Sequence, residues 1–473
     1  MIKTKEFRDP VHGYIPVPDE YCDLLIDTPI FQRLREVEQT GMRVLFPGAR
    51  HCRFSHSLGT YFLGSRAFKH FRDNSRSFFA KDDDTWAAYE KTFRIACLLH
   101  DCGHAPFSHT FEHYYDYVEG EEKSRLKAPL LAAANDDIFA SDYTGKASAH
   151  EKASALLVLT RFDEPIRALG GDPLLVARMI LGCKHLGAKD ETERIENCLI
   201  SLLNGPAIDV DKLDYILRDT WASGVNNVSI DVPRLLGALT YDPDRCHVAF
   251  RKSAMSVLQA VIDGRNHLYR WIFGHHKVVY NQHLMKTAVE ALAKLICGKR
   301  EHFLSSFFSV DAFSQPVTIT EDVSAYLPTD QDLAYLLKKY AGQIPEVKEY
   351  LSRQHSCVPL WKTAVEFSCL FGKKTEEERT HIRWHARDMI VEMVNDKSSA
   401  PKIIVEDIPE KFVTFEASLK QILIEIDGVC HSYDQLFKGE GSIEPSGGFY
   451  VFVPTNLIGQ KQSFIKRLQS VTI

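Results

Sequence analysis

Residues Arg94–His113 read RIACLLHDCGHAPFSHTFEH, a short apolar run followed by four histidines, one aspartate and one glutamate. The run up to Leu99 predicts a buried helix, and Gly103 and Pro106 break it where the imidazoles begin. A helix that ends in such a cluster delivers metal ligands and proton carriers to a cleft.

On the N-terminal side, FRDPVHGYIPVP (Phe7–Pro18) is rich in turn-forming and aromatic residues and predicts a hairpin-like entry segment. Asp27-Thr28-Pro29 supplies a cap for a helix through IFQRLREVEQTG, with Phe31, Leu34 and Val37 inward and Gly41 as the stop. Two more helices are expected at Ser55–Phe71 and Thr85–Leu99, separated by a solvated KDDD run. Residues 115–149 read as an irregular insertion or lid, broken by Pro129 and Gly145. His150-Glu151 opens a helix to Leu159, followed by Pro173–His185, Glu193–Leu203, Asp209–Asp219 and an amphipathic pair within Ala254–Cys297. KIIVEDI, ILIEIDGV and GFYVFVP near the C-terminus read as strands. The expectation is a mainly α fold with a small α+β lobe, divided into a core at 1–295, a helical accessory region at 296–395 and the lobe at 396–473.

Composition narrows the class of protein. The 473 residues are 45% hydrophobic and 25% charged, an ordinary soluble globular balance. Neither a signal peptide nor an apolar run of roughly 18 to 20 residues is present, so a cytoplasmic address is expected and no membrane partner. Eleven scattered cysteines without a CxxC pair argue for reduced thiols rather than a disulfide framework or zinc ribbon. A net charge of −6 argues against non-specific duplex DNA binding and leaves room only for a local basic pocket.

Four elements carry the chemistry: RFSHSLG (Arg53–Gly59), LLHDCGHAPFSH (Leu98–His109), His150-Glu151, and DVDKLDYILRD (Asp209–Asp219). On the last, Asp211, Tyr215 and Asp219 recur every four residues and share one helix face with Lys212 beside them. The bland alternative is a solvated charged face opposite Leu213, Ile216 and Leu217. In this order the elements resemble the HD-domain metal-dependent phosphohydrolases, and the resemblance puts the metal ligands at His56, His100, Asp101 and Asp211. Two imidazoles and two carboxylates suit a divalent Mn, Fe, Mg, Zn or Ni and leave positions for water and a phosphoryl oxygen.

The longer runs FRDPVHGYI, DTPIFQRLREVEQTG, FPGARHCRFSHSLG, HDCGHAPFSH and DVDKLDY sharpen this resemblance. They are similar to the dGTPase-like dNTP triphosphohydrolases, above all the branch of the SAM-and-HD-domain dNTPase, whose SAM module has no counterpart here. The likeness is dense over 7–113 and 209–224 and thinner to about residue 290. It implies cleavage of a dNTP substrate at the α-phosphorus to deoxynucleoside and inorganic triphosphate. By position, Arg53, Lys212 and Tyr215 hold the triphosphate, Gln39 and Asp219 the sugar 3′-hydroxyl, and Tyr280 packs on the sugar. His109 is the general acid with His104 as the alternative, Glu112 orients it, and His150 contacts phosphate or the metal's surroundings.

Departures from the family pattern are Thr40, where a leucine lies near the sugar, and the lack of an arginine at the expected phosphate position upstream of Tyr280, with Lys277 or His276 as stand-ins. The resemblance further implies a homo-oligomer with a nucleotide activator at an allosteric interface site formed by Lys5, Asp27, Gln32 and Arg35. Asp27 reads equally well as a helix cap. Rival functions for the same residues are an HD-type nucleotidase or cyclic-nucleotide phosphodiesterase, or a nucleotide-binding regulator with a vestigial site.

Overall fold

The helix expected before the histidine cluster spans Asp83–Leu99, started by the Asp82 side chain, which accepts from the Thr85 amide. It belongs to a computed structural model that describes residues 3–116, 124–205, 208–225, 229–352, 354–394, 402–408, 419–437 and 448–472. Its partner is Arg53–Ser75, and the two lie close because Gly64 faces Cys97: an added Cβ would overlap the thiol sulfur. On its other side Arg53–Ser75 meets Val210–Ser223, a helix capped by Asp209 and stopped by left-handed Gly224. There Gly59 allows the approach, since a Cβ would overlap both Asp214 and Arg218. Ala149–Thr160 begins with a capping box formed by Ser148 and Glu151, which sets His150 in the first turn. These four helices surround the site.

The entry segment is an antiparallel hairpin, Thr4–Asp9 with Gly13–Pro18, in which Phe7 stands opposite Ile15. The helix after Asp27-Thr28-Pro29 is shorter than expected. It covers Pro29–Gln32, tightens into a 3₁₀ turn at Arg33–Glu36 and is extended at Val37, well before Gly41. Tertiary pairing overrides the helical periodicity there: the Arg53 amide donates to Val37, the Gln39 amide to His51, and Glu38 bridges Cys52. Thr28 rather than Asp27 is the cap, its hydroxyl accepting from the Phe31 amide.

Residues 115–149 are more regular than an irregular insertion. Lys127–Ala134 and Asp137–Asp142 are helices that bury Leu130 and Phe139. The part of the expected lid at 117–123 lies outside the described residues.

Sheet is sparse, and the class is mainly α with a small α+β region. Leu239–Asp242 and His247–Arg251 form a hairpin that periodicity did not reveal, and Leu423–Ile426 joins it in parallel, with Phe250 opposite Ile424. Ile404–Asp407 and Cys357–Pro359 flank Phe449–Pro454 in a second, antiparallel sheet. Packing does not follow the expected boundaries at 295 and 395. The main core continues through Phe303 and Val347 and takes in Ile424, whereas a second core gathers Trp361, Phe371, Ile390 and Phe452 onto Tyr280 and Leu284. All eleven cysteines are free. Among the described residues no helix is long and apolar enough to cross a membrane.

Gly59→Ala is therefore expected to destabilise the protein by about 3 to 5 kcal/mol in urea unfolding, because Asp214 and Arg218 cannot retreat. Gly237→Ala, with nothing within 4 Å of the new methyl group, should stay within about 0.5 kcal/mol of the parent protein.

Candidate metal centre and its cavity

Three helices converge on one point. The first turn of Arg53–Ser75 supplies His56, the C-terminal end of Asp83–Leu99 supplies His100 and Asp101, and the first turn of Val210–Ser223 supplies Asp211. His56 Nε2 lies 3.0 Å from Asp211 Oδ1, 3.2 Å from His100 Nε2 and 3.6 Å from Asp101 Oδ2. His100 Nε2 is 3.7 Å from each carboxylate. Donors bonded to one cation at about 2.0 to 2.2 Å stand about 3 Å apart when adjacent in its coordination sphere, so His56, His100 and Asp211 have the mutual distances of a group that could hold a divalent ion, with Asp101 beside both imidazoles.

The far side of each ring is fixed as well. His100 Nδ1 bonds the Cys97 carbonyl at 2.9 Å and His56 Nδ1 the Asp214 carboxylate at 2.7 Å, which aims both Nε2 atoms inward. Burial disfavours charge on His56, but the bonds from Asp211 and Asp214 prevail and raise it to about 10. Burial likewise opposes ionisation of Asp101 and Asp211, yet Arg53 and the imidazoles hold both well below the usual carboxylate range. Both carboxylates are thus ionised, and a cation bound here would take the place of the proton that Asp211 and Asp214 favour on His56.

Behind the centre lies a shell that sequence reasoning missed. Asp214, fully buried, accepts from His56, from His12 Nε2 at 2.6 Å and from Arg218 Nε at 2.8 Å. Arg218 reaches on to Asp9 Oδ2 at 2.8 Å, and Asp9 also accepts the Val11 and His12 amides. The entry hairpin is therefore wired to His56 and the candidate metal centre. The available signals were the DPVH turn and the placement of Asp214 one helical turn beyond Asp211.

A second cluster adjoins the first. Glu112 bridges two imidazoles, accepting from His109 Nδ1 at 3.0 Å through one oxygen and from His150 Nδ1 through the other. Despite burial, His150 and His109 hold its pKa far below normal, while Glu112 raises that of His150 against the burial of the ring. His104 stacks on His150 with centroids 4.2 Å apart, and burial together with Arg53 pushes its pKa well down. His109, with a side chain 47% exposed, stands at the mouth. His104, His109, Glu112 and His150 also have the mutual distances of a metal-holding group.

Both clusters open on a cavity of about 550 Å³. Gln39, Thr40, Arg53, Lys212, Tyr215 and Asp219 all line it. Lys212 bonds the Asp209 carboxylate at 2.6 Å, which together with Asp211 keeps its ammonium charged in spite of burial. Asp219 takes His51 Nε2 at 2.6 Å. Tyr280 is not there: it lies in the second core and donates to Glu349 at 2.5 Å. Lys277 and His276 do not line the cavity either, whereas Arg265 and Tyr269 do, the guanidinium lying over the tyrosine ring. The π-helical turn Leu268–Phe273 separates Arg265 from the next helix, so an alignment carried back from Tyr280 misplaces the arginine. Lys5, Asp27, Gln32 and Arg35 lie outside the cavity as two pairs, Lys5 on Asp27 at 3.0 Å and Arg35 on Gln32 at 2.8 Å.

Residues 53–181 match the HD domain family. The chain is 29% identical to an uncharacterized protein, YwfO, of Bacillus subtilis, over 69% of this chain and 66% of that one. It is 28% identical to the deoxynucleoside triphosphate triphosphohydrolase SAMHD1 of Gallus gallus, over 83% of this chain and 64% of the relative. It spans less than two thirds of the length of these relatives. The same fold occurs in a hypothetical protein of Aquifex aeolicus, with a TM-score of 0.59 at 20% identity over 98% of this chain and 100% of that one. A phosphohydrolase of Bacteroides thetaiotaomicron shares it too, with a TM-score of 0.62 at 19% identity over 95% and 99%. The His56, His100–Asp101 and Asp211 constellation is spread over the matched segment and the helix beyond it, so residues 53–181 are similar to the HD domain family and the chain is similar to dNTP triphosphohydrolases.

Proposed function

We propose that the protein is a metal-dependent dNTP triphosphohydrolase that releases deoxynucleoside and inorganic triphosphate. One observation carries this reading beyond a general HD-domain hydrolase. The Arg53 guanidinium donates to the ligand Asp101 at 2.6 Å and stands 3.4 Å from His109 Nε2, so metal, cation and proton donor lie within one side chain's span. A hydrolysis at phosphorus with a poor alkoxide leaving group requires these three together.

A divalent ion held by His56, His100, Asp101 and Asp211 supplies Lewis acidity toward a phosphoryl oxygen when bound. Arg53, Lys212 and Arg265 neutralise the triphosphate, and Tyr215 packs beside it. Gln39 and Asp219 hold the sugar hydroxyl, with Thr40 adjacent. His109 gives the Nε2 proton to the departing 5′-oxygen, since Glu112 occupies its Nδ1 and fixes the ring. His104 is the weaker candidate for that step, because a ring kept neutral by burial has no second proton to give. Glu112 favours the cationic form of His150 against the burial of the ring, which would add positive charge near the phosphates. Lys5, Asp27, Gln32 and Arg35 are the proposed activator contacts in a homo-oligomer, and Lys5 and Asp27 remain about half exposed.

Purified protein given Mn²⁺ and the four dNTPs, singly and in pairs, is expected to release tripolyphosphate and deoxynucleoside, with faster turnover in some pairs. Orthophosphate alone from every nucleotide would place it among the nucleotidases instead. Asp211→Asn should lose bound metal in elemental analysis and at least about 1,000-fold in rate while keeping its circular dichroism. His109→Gln should lower kcat by about 100- to 10,000-fold with KM within about threefold. Arg265→Ala should raise KM about tenfold or more in steady-state assays, the loss of one charge-assisted phosphate contact.

A further inference from the structure

One buried acid beside the cavity has no part in that reading. Asp330 is 9% exposed and opens the helix Asp330–Lys339, in the region that follows the catalytic helices in sequence. Its Oδ1 accepts the Phe107 amide at 2.5 Å, 223 residues away along the chain, and its Oδ2 accepts the Glu38 amide at 2.9 Å. The segments so joined both line the cavity, for Glu38 precedes Gln39 and Thr40 while Phe107 precedes Ser108 and His109.

The Phe107 side of this link is strained. Phe107 and Ser108 both have left-handed backbones, with φ of 54° and 51°. Non-glycine residues in this conformation cost about 1 kcal/mol or more each and persist only where the surroundings enforce it. The enforcing contacts are visible. Ser108 donates its hydroxyl to the Glu38 carbonyl and receives Arg53 Nε at 3.1 Å, and Arg33 ties the Pro328 carbonyl to that of His104, at 2.8 and 2.6 Å. Asp330 is the carboxylate at the centre of this arrangement, with Arg33 and Arg43 to balance it. Burial raises its pKa to about 6, still below neutrality, so both oxygens accept at pH 7 and above.

We propose that Asp330 is a positioning residue for the general acid: one carboxylate holds the Phe107 and Glu38 amides, sets the left-handed turn and thereby fixes the direction of the His109 imidazole. The proposal rests on His109 being the proton donor. Asp330 touches no reacting atom in this role and acts through the backbone. Asparagine at this position keeps one acceptor and turns an NH₂ group against the other amide, so one of the two bonds is lost.

The test uses the full chain in four forms: parent, Asp330→Asn, His109→Gln and the double variant. With ¹⁵N,¹³C-histidine labelling, the His109 ring signal is assigned by its disappearance in His109→Gln. Asp330→Asn is expected to shift the titration midpoint of that signal by about 0.5 pH unit or more, since the ring moves relative to Glu112, and to leave the exposed His385 ring in place. In turnover of dNTP, Asp330→Asn should lower kcat about 10- to 100-fold with KM within about threefold, and the double variant should be no slower than His109→Gln alone. Multiplying losses in the double variant, or an unmoved His109 ring, overturns the proposal. If the parent protein turns over no dNTP, the functional reading fails and the ring titration alone decides whether Asp330 sets His109. Should Asp330→Asn not fold, Asp330→Glu keeps the charge, displaces the oxygens and is read in the same way.

Discussion

The carboxylate of Asp214 is the interaction on which the rest of the site depends. It is fully buried, an expensive place for a charge, and is tolerated because His12, His56 and Arg218 surround it with donors. Burial opposes its ionisation, yet Arg218 and the two imidazoles keep it ionised far into acid. Its stabilising effect is accordingly present above the unfolded carboxyl value, about pH 4, and fades only as pH falls through the depressed folded value. Gly59 is obligatory for the same reason, because the carboxylate occupies the space a side chain would need.

From this point the order of the structure follows. Asp214 fixes the direction of His56; His56 and His100 face each other at the candidate metal position; Arg53 connects Asp101 to the cluster of His109, Glu112 and His150. The His56–Asp214 and Arg53–Asp101 links are charge-assisted hydrogen bonds in a dry setting, where such bonds are strong and directional. The neighbouring cluster works by contrast. Glu112 shifts His150 toward its cationic form while burial shifts His104 toward its neutral one, although the two rings stack face to face.

Much of this was legible in the chain, and what was not has a common cause. Helix periodicity and the break at Gly103 placed the helices, and ordered motifs brought His56, His100, Asp101 and Asp211 to one point. Local signals failed where distant segments decide the outcome. The first helix ends early because Val37 and Gln39 pair with residues 51–53, and Asp330 acts from 223 residues away. Arg265 went unnoticed upstream of Tyr280, with the π-helical turn Leu268–Phe273 between them, and it lines the cavity while Tyr280 lies in a separate core. The parallel pairing of Leu423–Ile426 with His247–Arg251 left no trace in either strand's own pattern.

The wiring of the entry hairpin has a consequence for how the protein is made. His12 and Asp9 meet partners 202 and 209 residues later, and His56 meets Asp214 across 158. A ribosome adding about 5 to 20 residues per second exposes His56, His100 and Asp101 for some seconds before Asp211 and Asp214 emerge. Contacts of such long range also close late in folding. The cluster at His56 is therefore complete only once the two ends of this stretch of chain, Asp9 and Arg218, have met.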